Sequence, residues 1–423
     1  AFLPCKQYFY RKAAILSGFN WLALVTVISV VLASTALGMF SFKHVEYSHQ
    51  LWWEFEANGH APRFMRATIG VLLALFCWAF ATLFRPARNP AVTPDPCELQ
   101  KAIALLQHTT VTSANLVLLG DKLLFFNADE SAFIMYRTSG RCWVSMGDPV
   151  GERGEMKELV WDFREACDSY DAFPVFYQVS AEMLPYYIDL GLGLLKLGEE
   201  AIVSLSEFTL DGARGRNFRG TLNKLDRSGY TFSVRTCEEV PALLPQLRSI
   251  SDEWLQSKNS REKGFSLGFF SEEYLCRTPI ALVECGGRIV AFANVWTTAA
   301  REELSVDIMR HADDALNGVM DYLFVQLMLW GKAQDYRAFS FGMAPLSGLE
   351  SRQRSPLWNR FGAYLFQHGE NFYNFEGLRS YKDKFHPQWH PRYLASPGGL
   401  ALAQVLTNVT TLISGGMRGV FKK

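Results

Sequence analysis

The sequence predicts a mixed α/β body carried behind a membrane-embedded front end. Three observations lead there. Two long apolar runs near the start hold no charged residue. A short stretch with four prolines follows them. The rest of the chain alternates β-branched and aromatic runs with amphipathic ones.

The front end comes first. Residues 13–42 contain no charged side chain, and 67–84 form a second uncharged run. About 20 residues at 1.5 Å rise cross a bilayer core, so both runs read as spans, at about 15–40 and 66–84 of a membrane region 1–85. Arg11 and Lys12 precede the first span, and Arg85 and Arg88 follow the second. The positive-inside rule then puts both ends in the cytoplasm, with Trp52 and Trp53 in the opposite interface. The chain opens at Ala1 directly before a span, as the C-terminal part of a longer membrane protein would.

Composition bounds the remainder. Of 423 residues, 49% are hydrophobic and 20% charged, which excludes a disordered chain. Eight cysteines are too sparse for a disulfide scaffold, and with no C-x-x-C pair they suit a reducing cytosol. A formal net charge of zero excludes a uniformly basic nucleic-acid coat. Residues 1–90 carry eight Lys/Arg against three Glu, a net of +5, so the body is mildly acidic at −5.

Residues 86–96, PARNPAVTPDP, read as a semi-rigid spacer. Strand signals follow at 116–119, 123–126, 132–136, 142–146, 175–178, 231–234, 280–284, 289–295, 303–308 and 338–341. Helix signals lie at 97–109, 157–170, 216–228, 240–257 and 315–334. The expected organisation is a first domain over 97–211, a basic bridging helix over 212–229, a second domain over 230–395 and an amphipathic, basic tail over 396–423. No internal repeat shows by sequence identity. The tail either rests on an anionic membrane surface or packs on the body.

Four stretches carry candidate chemistry. LGDK (119–122) and SMGDPVG (145–151) form sharp turns that either expose backbone N–H groups or simply close a hairpin. In RNFRGTLNKLDRSG (216–229), Arg216, Arg219 and Asn223, and also Lys224 and Arg227, fall at three-to-four spacing, a stripe for phosphates or a solvated face. In ELSVDIMR (303–310), Leu304, Val306 and Ile308 are expected on one strand face, Ser305 and Asp307 on the other. Asp307 and Arg310 suit a base with an anion clamp, but the residues alone favour a structural salt bridge. The last is FGMAPLSGL (341–349) with GLRSYKDKFHPQW (377–389). It offers Ser347, Arg379, Lys382 and Lys384 as ligands for phosphate or an oxyanion. His386 and His390 lack a third partner for a metal. No phosphate-binding Gly-rich loop, nucleophile elbow or cysteine nucleophile signature is present.

In this order, behind apolar spans, these motifs resemble the C-terminal part of the multiple peptide resistance factor family. The resemblance runs from Asn115 to Leu394. It rests on GDK with SMGDPVG, SDEWL with EKGFSLGFF, SVDIMR, FGMAPLSGL, and GLRSYKDKFHPQW with RYL. It implies tandem acyltransferase domains of the GNAT type on the cytoplasmic side of a bacterial inner membrane, beyond two transmembrane helices. The implied activity moves lysine or alanine from aminoacyl-tRNA to the glycerol hydroxyl of phosphatidylglycerol. That reduces membrane negative charge and gives resistance to cationic antimicrobial peptides. No cofactor is implied; aminoacyl-tRNA is the co-substrate. The N-terminal flippase part of such a protein is expected outside this chain, and homo-oligomerisation stays open.

The resemblance marks Asp307, Arg310 and Lys382 as catalytic, and Lys122, Lys258 and Glu262 as substrate-binding. Arg216, Arg219, Lys224, Arg379, Lys384 and Ser347 complete the expected substrate contacts. Asp307 would take the hydroxyl proton or hold the amino acid's ammonium. Two other readings compete: a Fem-like or other GNAT acyltransferase acting on a peptide or small amine, and a non-enzymatic tethered domain that binds lipid or a partner.

Overall fold

The computed structural model describes residues 93–258, 262–349 and 375–414, with helical residues at 28–29, 31–33, 36 and 70–77. The two predicted spans fall largely outside these residues, as do most of the Pro-rich spacer and residues 415–423. No described helix is long and apolar enough to cross a membrane.

The body is built on one 12-stranded sheet. Its strands are β1 (Leu123–Phe126), β2 (Ala132–Ser139), β3 (Cys142–Met146), β4 (Val150–Gly151), β5 (Phe173–Ser180) and β6 (Gly193–Ser204). They continue as β7 (Tyr230–Arg235), β8 (Ile280–Cys285), β9 (Arg288–Thr297), β10 (Glu303–His311), β11 (Ala338–Pro345) and β12 (Gln388–Ser396). The spatial order is β1-β2-β3-β5-β12-β6-β11-β10-β9-β8-β7, with β4 pairing β2.

That order holds a duplication that sequence identity hides. Strands β1, β2 and β3 form an antiparallel meander. Helix α2 (Met156–Ser169) then returns the chain to β5, parallel to β3. Strands β8, β9 and β10 repeat the pattern, and helix α7 (Val319–Ala333) leads to β11, parallel to β10. Each half then adds a helix, α3 (Leu184–Asp189) or α8 (Phe375–Asp383), and a last strand. Those last strands are exchanged. β6, from the first half, pairs β11, while β12, from the second, pairs β5. β6 and β12 pair with each other at the centre. The predicted ranges 97–211 and 230–395 therefore share one sheet.

Side chains alternate between two cores on opposite faces. In β8, Ile280 and Leu282 join one, Ala281 and Val283 the other. The first core takes helix α1 (Pro96–Leu105) through Ala102, helix α5 (Val240–Ser257) through Leu247 and Ile250, and the short helix α6 (Glu272–Leu275) through Tyr274 and Leu275. It also takes helix α9 (Ala401–Ile413) through Val405, Val409 and Leu412, so this part of the tail packs on the body. The second core takes α7 and the basic helix α4 (Arg216–Arg227), whose Phe218, Leu222 and Leu225 recur at helical spacing.

Two sequence expectations fail here. Residues 116–119 lie in a 3-10 helix (Thr112–Leu119), not a strand; a short run buried on nearly every side has no period to read. Strands β6 and β12 went unpredicted because Glu199, Glu200 and Arg392 give them the polarity of loops. Glu200 and Arg392 are in fact paired and largely buried.

Candidate active site

Strands β10 and β11 pair in parallel only over Glu303–Ser305 and Ala338–Ser340. Beyond that point both lose register with their outer neighbours, β10 between Val306 and Met309 and β11 between Ser340 and Met343. Open α/β sheets place ligands beyond the carboxyl ends of parallel strands, where neighbours diverge. The predicted catalytic residues lie at this divergence.

The irregularity in β10 is a bulge, and it corrects the expected facing. Leu304 and Val306 join the second core, but Ile308 joins the first. An Asp and an Arg three apart on a regular strand point to opposite faces. The extra residue shifts the phase after Asp307 and makes the SVDIMR spacing serve one site.

Asp307 is enclosed. The Gly268 N–H donates to its Oδ1 at 2.8 Å, and the Tyr274 hydroxyl donates to its Oδ2 at 2.6 Å. Trp296 Nε1 donates to the Tyr274 oxygen at 2.8 Å, which leaves the tyrosine proton directed at the carboxylate. Burial raises the Asp307 pKa above the usual carboxylate range, against the opposing pull of Tyr274, Gly268, Lys122 and Arg310. The Tyr274 phenol is pushed well up by burial and by Asp307, so it stays protonated.

Arg310 stacks over Trp254 with its guanidinium carbon 4.2 Å from the ring centroid, and it pairs with Glu262 at 3.1 Å. Thus SDEWL supplies the ring, EKGFSLGFF the carboxylate and the Gly268 donor, and SVDIMR the Asp and the Arg. Burial lowers the Arg310 pKa while Glu262 and Asp307 oppose it. Lys122, from the first half, is 1% exposed and pairs with Asp121 at 2.7 Å. Burial lowers its pKa against Asp121, and its charge also acts on Asp307. Lys258 is instead exposed at the end of α5.

Lys382, on helix α8, reaches the corresponding irregularity of β11. It is buried and donates to Gly342 O at 3.0 Å and Met343 O at 3.1 Å, carbonyls at the β11 irregularity. Burial pushes its pKa down to about 8, with Glu200 opposing. Glu200 accepts from Arg392 Nε at 2.8 Å and from Ser340 Oγ at 2.8 Å, joining β6, β12 and β11. Glu303 accepts from Thr112 N at 2.8 Å and Thr112 Oγ1 at 2.5 Å. Burial and the nearby Glu200 raise Glu303 to about 6.

The other predicted contacts show no described interaction with Asp307. Ser347 is fully buried; its hydroxyl donates to Ala344 O and accepts from Glu199 N, which fixes a turn. Arg379 pairs with Glu199 at 2.6 Å and stacks on Trp389. Lys384 pairs with Asp321 at 3.3 Å. Arg219 donates to Leu210 O and to Gly212 O, closing the loop before α4, while Arg216 and Lys224 are exposed. Asp148 of SMGDPVG accepts from Ser180 N and Tyr187 Oη, each at 3.0 Å, so this turn is anchored as structure. Among the described residues no group of three His, Cys, Asp or Glu could hold a metal ion. Sequence reasoning missed Tyr274, Trp296 and Gly268 as site residues. The glycine sat inside a quoted motif, but the two aromatics lay in none.

Comparison with known proteins identifies the family of the chain. The family described as "Phosphatidylglycerol lysyltransferase, C-terminal" matches residues 103–396. Phosphatidylglycerol lysyltransferase of Bacillus subtilis (strain 168) is 37% identical over 345 residues, which are 81% of this chain and 40% of that protein. The Staphylococcus aureus (strain COL) protein of the same name is 33% identical over 346 residues, 82% of this chain and 40% of the relative. The chain thus spans about two fifths of the length of these curated relatives. A C-terminal domain from Agrobacterium fabrum superposes with a TM-score of 0.69 at 42% identity, over 76% of this chain and 99% of that structure. L-PGS from Bacillus licheniformis gives 0.67 at 38% identity, over 77% and 99%. By sequence over most of the body and by fold, the chain belongs to the phosphatidylglycerol lysyltransferase family, to whose C-terminal region it corresponds.

Proposed function

We propose that this chain transfers an amino acid, lysine or alanine, from aminoacyl-tRNA to the glycerol hydroxyl of phosphatidylglycerol. Its two halves would be GNAT-type units, held at the cytoplasmic face of the membrane by spans within residues 1–85. The names of the relatives support the lipid acceptor. One observation carries the reading for this chain: Asp307, Arg310 and Glu262 come together where β10 and β11 part, and Lys122 of the first half acts on Asp307.

Donor and product are both esters, so the reaction is close to balanced. Catalysis then needs alignment of two reactants and stabilisation of one tetrahedral oxyanion, with no covalent enzyme intermediate. Each Asp307 oxygen accepts one protein hydrogen bond and keeps a lone pair for the lipid hydroxyl or the donor ammonium. Arg310, buried and stacked, supplies fixed positive charge for the phosphate or the oxyanion.

The test mixes purified chain with phosphatidylglycerol vesicles and tRNA charged separately with lysine or alanine, and reads the lipids by mass spectrometry. A mass gain of one aminoacyl group names the donor. No gain with either, from folded protein, counts against the reading. Gain on a peptide or amine without lipid would move the assignment to a different acceptor.

A further inference from the structure

The bulge that brings Asp307 and Arg310 to one face has its own keeper. On β9 and β10, Val306 pairs with Val295 and Met309 with Ala293, so Asp307 and Ile308 together face the single residue Asn294. The bulge takes the Ile308 N–H out of the regular ladder. Asn294 Oδ1 accepts that N–H at 2.7 Å. Asn294 is completely buried, on the strand face that also carries Phe292 and Trp296 of the first core.

An apolar side chain would suit that layer better. A buried amide is costly unless bonded; among the described residues Asn294 Nδ2 makes no hydrogen bond of full geometry, though the amide also acts on the Tyr274 phenol and opposes the rise in its pKa. Among the described residues its one side-chain hydrogen bond of full geometry is the bond to the bulge. Without the bulge, the two-residue period would return and turn Arg310 to the opposite face, away from Glu262 and Trp254.

We propose that Asn294 is a positioning residue for the acyl-transfer site, holding the β10 bulge and thereby aiming Asp307 and Arg310. The role rests on the transfer reading above; the device itself rests on the strand geometry. It acts through Ile308, with a lesser action on Tyr274, and touches no reacting atom.

The test uses the full chain with Asn294→Ala, which removes the acceptor, and Asn294→Asp, which keeps it in either protonation state. Two readouts are taken: hydrogen exchange at the Ile308 amide, and steady-state transfer with kcat and KM separated. N294A is expected to lose Ile308 protection and to drop kcat about 10²-fold, the scale of a misplaced reacting group, with KM for aminoacyl-tRNA within about threefold. N294D is expected to keep the protection and to retain kcat within about tenfold of the parent. Unchanged kcat in folded N294A overturns the proposal, as does equal loss in both variants. If N294A does not fold, Asn294→Ser takes its place. A parent chain without transfer would sink the functional reading alone, because Ile308 exchange still decides whether Asn294 holds the bulge.

Discussion

Gly268 and Asp307 occupy one space between them. The glycine N–H donates to Asp307 Oδ1 at 2.8 Å, and a Cβ on Gly268 would overlap Oδ2. The carboxylate cannot swing clear, because Tyr274 holds Oδ2 at 2.6 Å. Gly268→Ala is therefore expected to displace the carboxylate rather than to disturb the fold. Transfer should fall about 10²-fold with the far-ultraviolet circular dichroism unchanged. Parent-like turnover in this variant would remove Asp307 from the centre of the site.

Arg310 depends on shape as well as charge. Its plane lies on Trp254 while one nitrogen reaches Glu262. Arg310→Lys keeps the charge but loses the stack and the fixed fork. Turnover is expected to fall about 10²-fold or more, while Glu262→Gln, which leaves the stack in place, should cost less. Kinetics of both variants against the parent check this order, and a lysine that substitutes freely would show that charge alone suffices.

Much of this was legible in the sequence, and the limit was physical. The motifs around Asp307, Arg310, Glu262 and Lys382 stand out as short polar and glycine-rich islands, and local periodicity gave α4, α5, α7 and most strands. Strand exchange was hidden because pairing of β6 with β11 and of β12 with β5 joins residues far apart in the chain. The bulge was hidden because one extra residue leaves no compositional mark; alternation alone put Ile308 on the wrong face. Tyr274, Trp296 and Asn294 act through single hydrogen bonds that only the fold brings together.

Glu303 makes a pH prediction. Its folded pKa is about 6, above the ordinary 4.5, so the folded state holds a proton that the unfolded state releases between those values. Stability from this residue is fully present below about pH 4.5 and is lost as pH rises through 6. A shift of this size corresponds to about 2 kcal/mol. Glu303→Gln stays neutral and keeps an acceptor for Thr112. Relative to the parent it should gain about 2 kcal/mol in denaturant stability between pH 4.5 and 7. A stability difference that is flat across this range would show that the carboxyl does not titrate there.

Helix α4 separates two roles that its charge pattern merged. Arg219 folds back on the carbonyls of Leu210 and Gly212, whereas Arg216 and Lys224 face solvent. Arg219→Ala is expected to cost about 1 kcal/mol in stability and to leave KM for aminoacyl-tRNA unchanged. Reversing Arg216 and Lys224 to Glu should leave stability unchanged and raise that KM. It should also flatten the log–log dependence of KM on salt, by roughly one unit for each phosphate that the helix no longer neutralises. The acidic balance of the body makes such local cations the natural meeting point for a polyanion. An unaltered KM and salt slope in the reversed variant would take tRNA off this face. Weaker binding of anionic vesicles by the same variant would then assign the stripe to the membrane surface.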